Sequence, residues 1–458
     1  MGSRLRGNDD HKNNFRIKIR CTPDFYVIFH YFYGMENGFD PALLRLVWCK
    51  GLFDSEGLVT TEGDAVSVVV RGLPDGNGNV AGAKLTIGGT VFQGEVAIAC
   101  HPDHNVCNAN TILAITTSPG ATCSSEDGTR VPVAVIPVDS YLEQKHNALL
   151  AWCGSGVCGA EIGNLSGPER IDMFTSLLTE RLMRKYNQLM EIHRAGEGDW
   201  NYTLYVMTFR AMGGNRNREP FTELARAVPY TALSLERGSP LAVEALLLGS
   251  AGLLYDLDEG DPYVVALNRE FDMLRRKYNI RPMRASAWQG GSFPSGSPSL
   301  RLAQLASFFT NRDFILGKVL ECRSCDDLYP IFCTSASDYW STHYNPGRFS
   351  APRTKNIGHD KAESMGINLV VPLMFAYGKQ NGEESLQARA LELLEAIPCE
   401  VNSITRKWAE NGAPMDNAFD SQAIIQLNNE YCVPRRCAEC RIGRRALAEE
   451  FFASHGKP

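Results

Sequence analysis

Residues 83–99 read AKLTIGGTVFQGEVAIA. Ala83 to Ile87 and Thr90 to Ala99 are short runs rich in Val, Ile and Thr, and Gly88-Gly89 between them supplies the two positive-φ positions of a tight hairpin. The stretch predicts an antiparallel strand pair. Runs of the same character lie on either side, at Ala65 to Val70, Thr111 to Thr117 and Val131 to Ile136, separated by Gly, Asn, Asp and Pro, so the hairpin belongs to a sheet. Upstream, Leu43, Leu44, Val47 and Trp48 recur at helical spacing behind Asp40-Pro41, which predicts one capped opening helix. Downstream, a connection rich in Gly and Cys (Cys153 to Gly167) ends the strand pattern.

From Pro168 onward the apolar period is near 3.6. Ile171, Phe174, Leu177, Leu178, Leu182 and Tyr186 form one stripe, with Glu180, Arg181, Arg184 and Lys185 facing away from it. Further helices are predicted at Trp200–Met212, Phe221–Val228, Leu241–Tyr255, Asp261–Tyr278, Leu300–Phe309, Ile367–Tyr377, Ser385–Ala396, Asn402–Glu410 and Asp420–Tyr431, with no fixed-period repeat. Gly290–Pro298 and Asn345–His359, dense in Gly, Pro and Ser, read as mobile loops. The fold class is therefore α+β: a β-rich domain over 35–160 and a larger helical domain over 161–458. Residues 1–34 carry a basic run (Arg16 to Arg20) and an aromatic-aliphatic run (Phe25 to Tyr33) with no small-residue cleavage site after it, and read as a non-native or disordered leader before Met35.

The 458 residues suffice for sizeable cores without staples. With 46 Lys and Arg against 52 Asp and Glu, the net charge of -6 excludes whole-molecule attraction to nucleic acid, so any such contact must be a local patch. Fourteen scattered cysteines without a secretory signal read as reduced thiols of a cytoplasmic protein rather than as a disulfide framework. The longest apolar stretch, Leu241 to Tyr255, is interrupted by Glu244 and is too short for a membrane span, so no membrane association is expected.

Several strings resemble one family. They are Ser337-Asp338-Tyr339-Trp340 with Thr342-His343-Tyr344, Ile367 to Lys379 (INLVVPLMFAYGK), Glu400 with Asn402-Ser403-Ile404, and Asp420-Ser421-Gln422-Ala423 through Glu430-Tyr431-Cys432 to Cys437, Cys440, Arg441, Ile442 and Gly443. Together they are similar to the bacterial family catalogued as domain of unknown function 2851, from about Leu44 to Arg445. The resemblance implies an N-terminal sheet that looks like a PD-(D/E)xK nuclease core, with a Gly-Pro-Asp-Phe turn and a Val-Glu-Ile-His strand whose acids bind Mg²⁺. At the matching positions stand Asn77-Gly78-Asn79-Val80 and Val96-Ala97-Ile98-Ala99. The acids and the His are gone, which predicts a catalytically degenerate scaffold or nucleic-acid-binding protein rather than an enzyme.

The alternative is an active metal-dependent nuclease or phosphodiesterase that uses Asp75, Glu95, His101 and His104 with Mg²⁺. Against it, Asp75 reads as part of an Asp-Gly turn, Glu95 as a solvated strand edge, and His101 and His104 as a polar loop. The sharpest chemical spacing is Cys432-x4-Cys437-x2-Cys440, which matches a structural zinc or iron-sulfur site. The resemblance gives Cys158 as fourth ligand; the other Cys-x2-Cys, Cys322 and Cys325, is an alternative source. A metal-stapled interaction module, its protein partner unidentified, is thus a third reading. The arginines beside the cluster, Arg435, Arg436, Arg441 and Arg444, suit bidentate phosphate contacts, set against a plain solvated basic face. His343, within Asp338 to Tyr344, reads either as a pocket residue or as part of a hydrogen-bonded aromatic corner that pins a loop.

Overall fold

The computed structural model describes residues 39–99, 107–125, 127–151, 153–154, 156, 158–254, 260–290, 294–312 and 314–455. The proposed leader, His101 and His104 lie outside these residues. The chain forms two compact units, one of Met1–Ala151 with Pro434–Pro458 and one of Trp152–Val433.

In the first unit, α1 (Pro41–Lys50) starts where Asp40 Oδ1 accepts the Ala42 amide at 2.9 Å and stops at Gly51, whose φ of 64° is the left-handed conformation glycine adopts without penalty. Its Leu43, Leu44, Val47 and Trp48 are buried against the sheet core. The strands are β1 (Val66–Val70), β2 (Leu73–Pro74), β3 (Val80–Ile87), β4 (Thr90–Ile98), β5 (Thr111–Thr116), β6 (Cys123–Ser124), β7 (Arg130–Val131) and β8 (Val133–Val135). Among the described residues, one sheet runs β1-β3-β4-β5-β8, with β2 also pairing with β3. The predicted hairpin is present: Ile87 pairs with Thr90 and Lys84 with Gln93, and Gly88 and Gly89 take φ of 56° and 83°. Beyond β4 the pairing turns parallel, β4 with β5 and β5 with β8, giving a mixed sheet. α2 (Ser140–Ala151) follows, and a closing helix, Arg441–His455, lies against it. Ala438 and Leu447 from the chain's end complete the same core.

Cys107 and Cys123 are joined in a disulfide, Cα to Cα 6.6 Å, among buried Ala97, Ala114, Val131 and Val133. This corrects the reading of all thiols as reduced. The pair meets because β5 and the β6–β7 turn fold back over each other, which sequence spacing does not reveal.

The second unit is helical. Its principal member, α3 (Gly167–Ala195), opens on a capping box in which Ser166 and Glu169 bond reciprocally, and it buries Phe174, Leu177, Leu178 and Leu182. The elements that matter below are α4 (Trp200–Gly213), α5 (Arg218–Ala227), α6 (Pro298–Asn311), α7 (His359–Met365), α8 (Ala418–Leu427) and two π-helical turns, Gly366–Val370 and Asn428–Cys432. Other predicted helices are present as Pro240–Ser250, Pro262–Lys277, Glu384–Ala396 and Ser403–Glu410. The segment Asn345–His359 is not an open loop. Short ladders pair His343–Asn345 with Arg348–Phe349 and Thr334–Ser335 with Asn356–Ile357, and Lys355 donates to Ser341 O at 2.9 Å.

Gly94 sits where β4 meets the start of β5: a Cβ there would lie 2.4 Å from Asn110 O and 2.6 Å from Ile112 Cγ2. Gly94→Ala is expected to destabilise the sheet unit by about 1–3 kcal/mol, because backbone must move to admit the methyl. Chemical unfolding followed by circular dichroism checks this, and an unshifted midpoint would show that β5 relaxes freely.

Candidate functional site

In the sheet unit, Asp75 Oδ1 accepts the amides of Asn77 at 3.0 Å and Asn79 at 2.8 Å, closing a tight Asx turn. Glu95 Oε1 accepts from Asn79 Nδ2 at 2.8 Å and Asn108 Nδ2 at 3.0 Å. Buried Asn79 also accepts the Ile98 amide at 3.1 Å. Glu95 is therefore not on a solvated edge: β4 lies inside the sheet between β3 and β5, and the carboxylate is held by two side-chain amides. Both carboxylates face N–H donors, the opposite of what a hard cation needs from its neighbours.

Cys158 precedes the short helix Gly159–Gly163 and Cys432 closes the second π turn, both in the helical unit. Cys437 and Cys440 belong to the sheet unit, where buried Cys440 leads into the closing helix. Cys322 is buried, and its thiol is pushed up to about 12 by burial and then by Asp327. Among the described residues, no three His, Cys, Asp or Glu side chains are placed to share a metal ion. Arg436 is committed to Glu439, which also pairs with Arg45 at 3.3 Å, while Arg435 carries a positive φ of 59°. Arg441 is exposed and Arg444 half-buried near the Cys49 thiol. His343 stacks on Tyr339 at 4.0 Å, and Tyr339 stacks on Tyr263 and donates to Asp261 at 2.7 Å. Beside them, buried Glu244 accepts from Trp340 Nε1 at 2.5 Å and from Ser337 at 3.1 Å. This is the aromatic corner, built to pin a loop.

In the helical unit, α3 carries a cluster of three cations, Arg181, Arg184 and Lys185. Arg181 Nη2 donates to Gln422 Oε1 at 2.5 Å, and Gln422 Nε2 passes the bond on to Glu400 Oε2 at 2.6 Å. Asn402 Nδ2 donates to the other oxygen of Glu400 at 3.1 Å. Arg184 donates to Gln426 Oε1 at 2.6 Å and pairs with Glu430. Lys185 Nζ donates to Asn368 Oδ1 at 3.1 Å.

α8 supplies Gln422 and Gln426, one turn apart. The π turns supply Asn368 and Glu430, and their wide geometry aims side chains where a regular α-helix would not. At the cleft's margin, Tyr431 donates to Glu180 at 3.0 Å.

Burial first, then the neighbouring Arg184, brings Arg181 down to about 10. Lys185 is held well below the usual lysine range by burial first, then by Arg181, Arg218 and Arg184, with Glu400 pulling the other way. Arg181 and Lys185 keep part of their residue surface exposed. Sequence reasoning set Arg181, Arg184 and Lys185 on a face pointing away from the core and missed this site. The available signal was three cations within one turn and a quarter of helix, an arrangement that opposes helix formation unless something answers it.

Compared with known families, the chain matches the model described as protein of unknown function (DUF2851) over residues 42–403. The chain belongs to the DUF2851 family. The matched segment contains Arg181, Arg184, Lys185, Asn368 and Glu400, whereas the strings from Asp420 to Gly443 lie beyond it. Comparisons with curated proteins and with solved structures return no match.

Within this DUF2851 chain, Lys185 is hydrogen-bonded to the neutral Asn368, and Glu400 is the carboxylate whose field favours its charged form. Lys185→Met is expected to raise stability by about 1 kcal/mol, since an apolar side chain suits the enclosure better than a cation. Glu400→Gln is expected to lower it by about 1–3 kcal/mol by leaving Arg181 and Lys185 unanswered. Paired urea titrations read both, and the reverse order of the two would remove the electrostatic account of the cleft.

Proposed function

We propose that this DUF2851 protein is a non-catalytic nucleic-acid-binding protein that takes phosphate groups in the α3 cleft. The observation that carries the reading is the ammonium of Lys185, enclosed beside two guanidiniums and bonded to the neutral Asn368 rather than to a carboxylate. Arg181, Arg184 and the nearby Arg218 accompany Lys185, with Glu400 and Glu430 on the other side of the balance and Glu180 at its margin. Guanidinium forks and an ammonium suit phosphate oxygens, which accept several charge-assisted bonds at once.

The sheet unit supports the non-catalytic side of the reading. Asp75 is used in a turn and Glu95 by two amides, and Asn79 stands between them. In the frame that resembles a nuclease-like core, the two candidate carboxylates are thus taken up by N–H donors. We place the protein in the cytoplasm. Among the described residues no helix is long and apolar enough to cross a membrane, and Cys49, Cys322, Cys325, Cys333 and Cys399 are free thiols. The Cys107–Cys123 bond is buried, where a reductant has little access.

The test is fluorescence anisotropy with a labelled single-stranded oligonucleotide over a salt series. The double variant Arg181→Gln, Lys185→Gln is expected to bind at least about tenfold more weakly, and the slope of log affinity against log salt to fall by about 1.4, at roughly 0.7 per lost contact. Unchanged affinity and slope would overturn the assignment of the cleft.

A further inference from the structure

A cavity of about 330 Å³ in the helical unit is lined by rings from separate elements: Tyr205 on α4, Tyr230 on the helix Tyr230–Glu236, Phe309 on α6, and Phe314 just before the helix Ile315–Glu321. Tyr205 meets Tyr230 at 5.2 Å and 49°, and Phe309 at 5.6 Å and 58°, so these rings splay around the space rather than lying flat on one another. Its buried hydroxyls are spent inside the wall, Tyr205 on Val228 O at 2.9 Å and Thr208 on Leu204 O at 2.7 Å. The charged members of the lining are likewise engaged. Asp199 accepts the Asn201 amide N–H at 2.8 Å as the cap of α4, and Arg237 and Arg312 donate to main-chain carbonyls. By contrast, the side-chain amide of Asn201 and the phenol of Tyr230 have no hydrogen-bond partner among the described residues. A lining of ring surface with a few neutral polar groups to spare, at the small end of ligand-pocket volumes, suits one compact ring system.

Phe314 points to what kind of ring. It is 88% exposed, touches no other ring among the described residues, and carries φ 51° and ψ 41°, a left-handed backbone that bulky residues avoid. The segment before it is clamped. Arg237 donates to Thr310 O at 3.1 Å and Arg312 O at 2.7 Å, and Arg312 donates to Ile331 O at 3.1 Å and Cys333 O at 2.8 Å. Strain of this kind persists where the surroundings over-determine it, and it gathers at ligand clamps. A solvated phenyl ring held this way beside a ring-lined cavity adds little to packing, and a flat guest gives it a face to cover.

We propose that this cavity binds a planar aromatic heterocycle of nucleobase size, stacked against Phe314 and the tyrosine rings, with the Asn201 amide hydrogen-bonded to its edge. A side-chain amide offers a donor and an acceptor side by side, the match for a heterocycle edge that presents one of each. The site is separate from the α3 phosphate cleft and stands if that reading falls.

The experiment titrates the full chain with adenosine, thymidine and, as a control without an aromatic ring, ribose, followed by saturation-transfer NMR. None of the three carries phosphate, so the result is independent of Arg181 and Lys185. At least one nucleoside is expected to bind, and ribose is not. Phe314→Asn, which places a residue at ease in the left-handed region, is expected to weaken nucleoside binding about tenfold with no loss of thermal stability. Asn201→Ala is expected to weaken it about fivefold. Ser234→Trp, which sets a large side chain in the lining, is expected to abolish it. Displacement of the nucleoside by a thymidine oligonucleotide assigns the ring to a base on a strand, and its retention assigns it to a free small molecule; the site stands in both cases. A wild type that binds neither nucleoside, or binds ribose equally, or binding left unchanged in either Phe314→Asn or Ser234→Trp, would overturn it.

Discussion

Arg181 and Lys185 stand one turn apart on α3, enclosed by α8 and the two π turns, and the rest of the helical unit's chemistry follows from how that enclosure is answered. Like charges at this spacing work against the helix that carries them, and losing hydration adds to the cost. The groups bonded to them are amide oxygens, Gln422 for Arg181 and Asn368 for Lys185, with Glu400 reached through Gln422. An amide oxygen satisfies a donor without cancelling its charge. The enclosure is therefore ordered and hydrogen-bonded, and the proposed phosphate contact would draw on the charge left over. Carboxylates in the same positions would cancel that charge.

The sheet unit shows the opposite arrangement. Several of its charged groups find partners inside the unit: Asp75 in its own turn, Glu95 on Asn79 and Asn108, Arg436 three residues on at Glu439, and Arg45 on the same Glu439. Charges answered at this range contribute to local order and leave little field for a ligand. The aromatic corner at Asp338–Tyr344 is likewise satisfied internally, through Glu244, Asp261 and stacked rings. Such a segment fixes a loop's course, and its His needs no catalytic role to explain its place.

Much of the fold was legible. The Gly88-Gly89 hairpin, the strand runs around it and the amphipathic stripe of α3 all lie where local pattern puts them, because each depends on neighbours within a turn or a strand. Short helices such as Ile315–Glu321 and His359–Met365 were not legible, nor were the two π turns. Their residues follow no clean period, and packing rather than propensity selects them. The disulfide was invisible for a related reason: Cys107 and Cys123 are 16 residues apart with no spacing motif, and only the fold of β5 over the β6–β7 turn brings them together.

By itself, then, the sequence determined an α+β chain whose first part is a sheet and whose second is helical, since periodicity is a property of consecutive residues. It also set the overall acidity that confines any nucleic-acid contact to a patch. What stands opposite each cation of α3 was decided by tertiary structure. Lys185 and Asn368 are separated by 183 residues, and Arg181 and Gln422 by 241. No local pattern distinguishes a cation that faces water from one that faces an amide on a distant helix, because the difference lies in what the fold places opposite it.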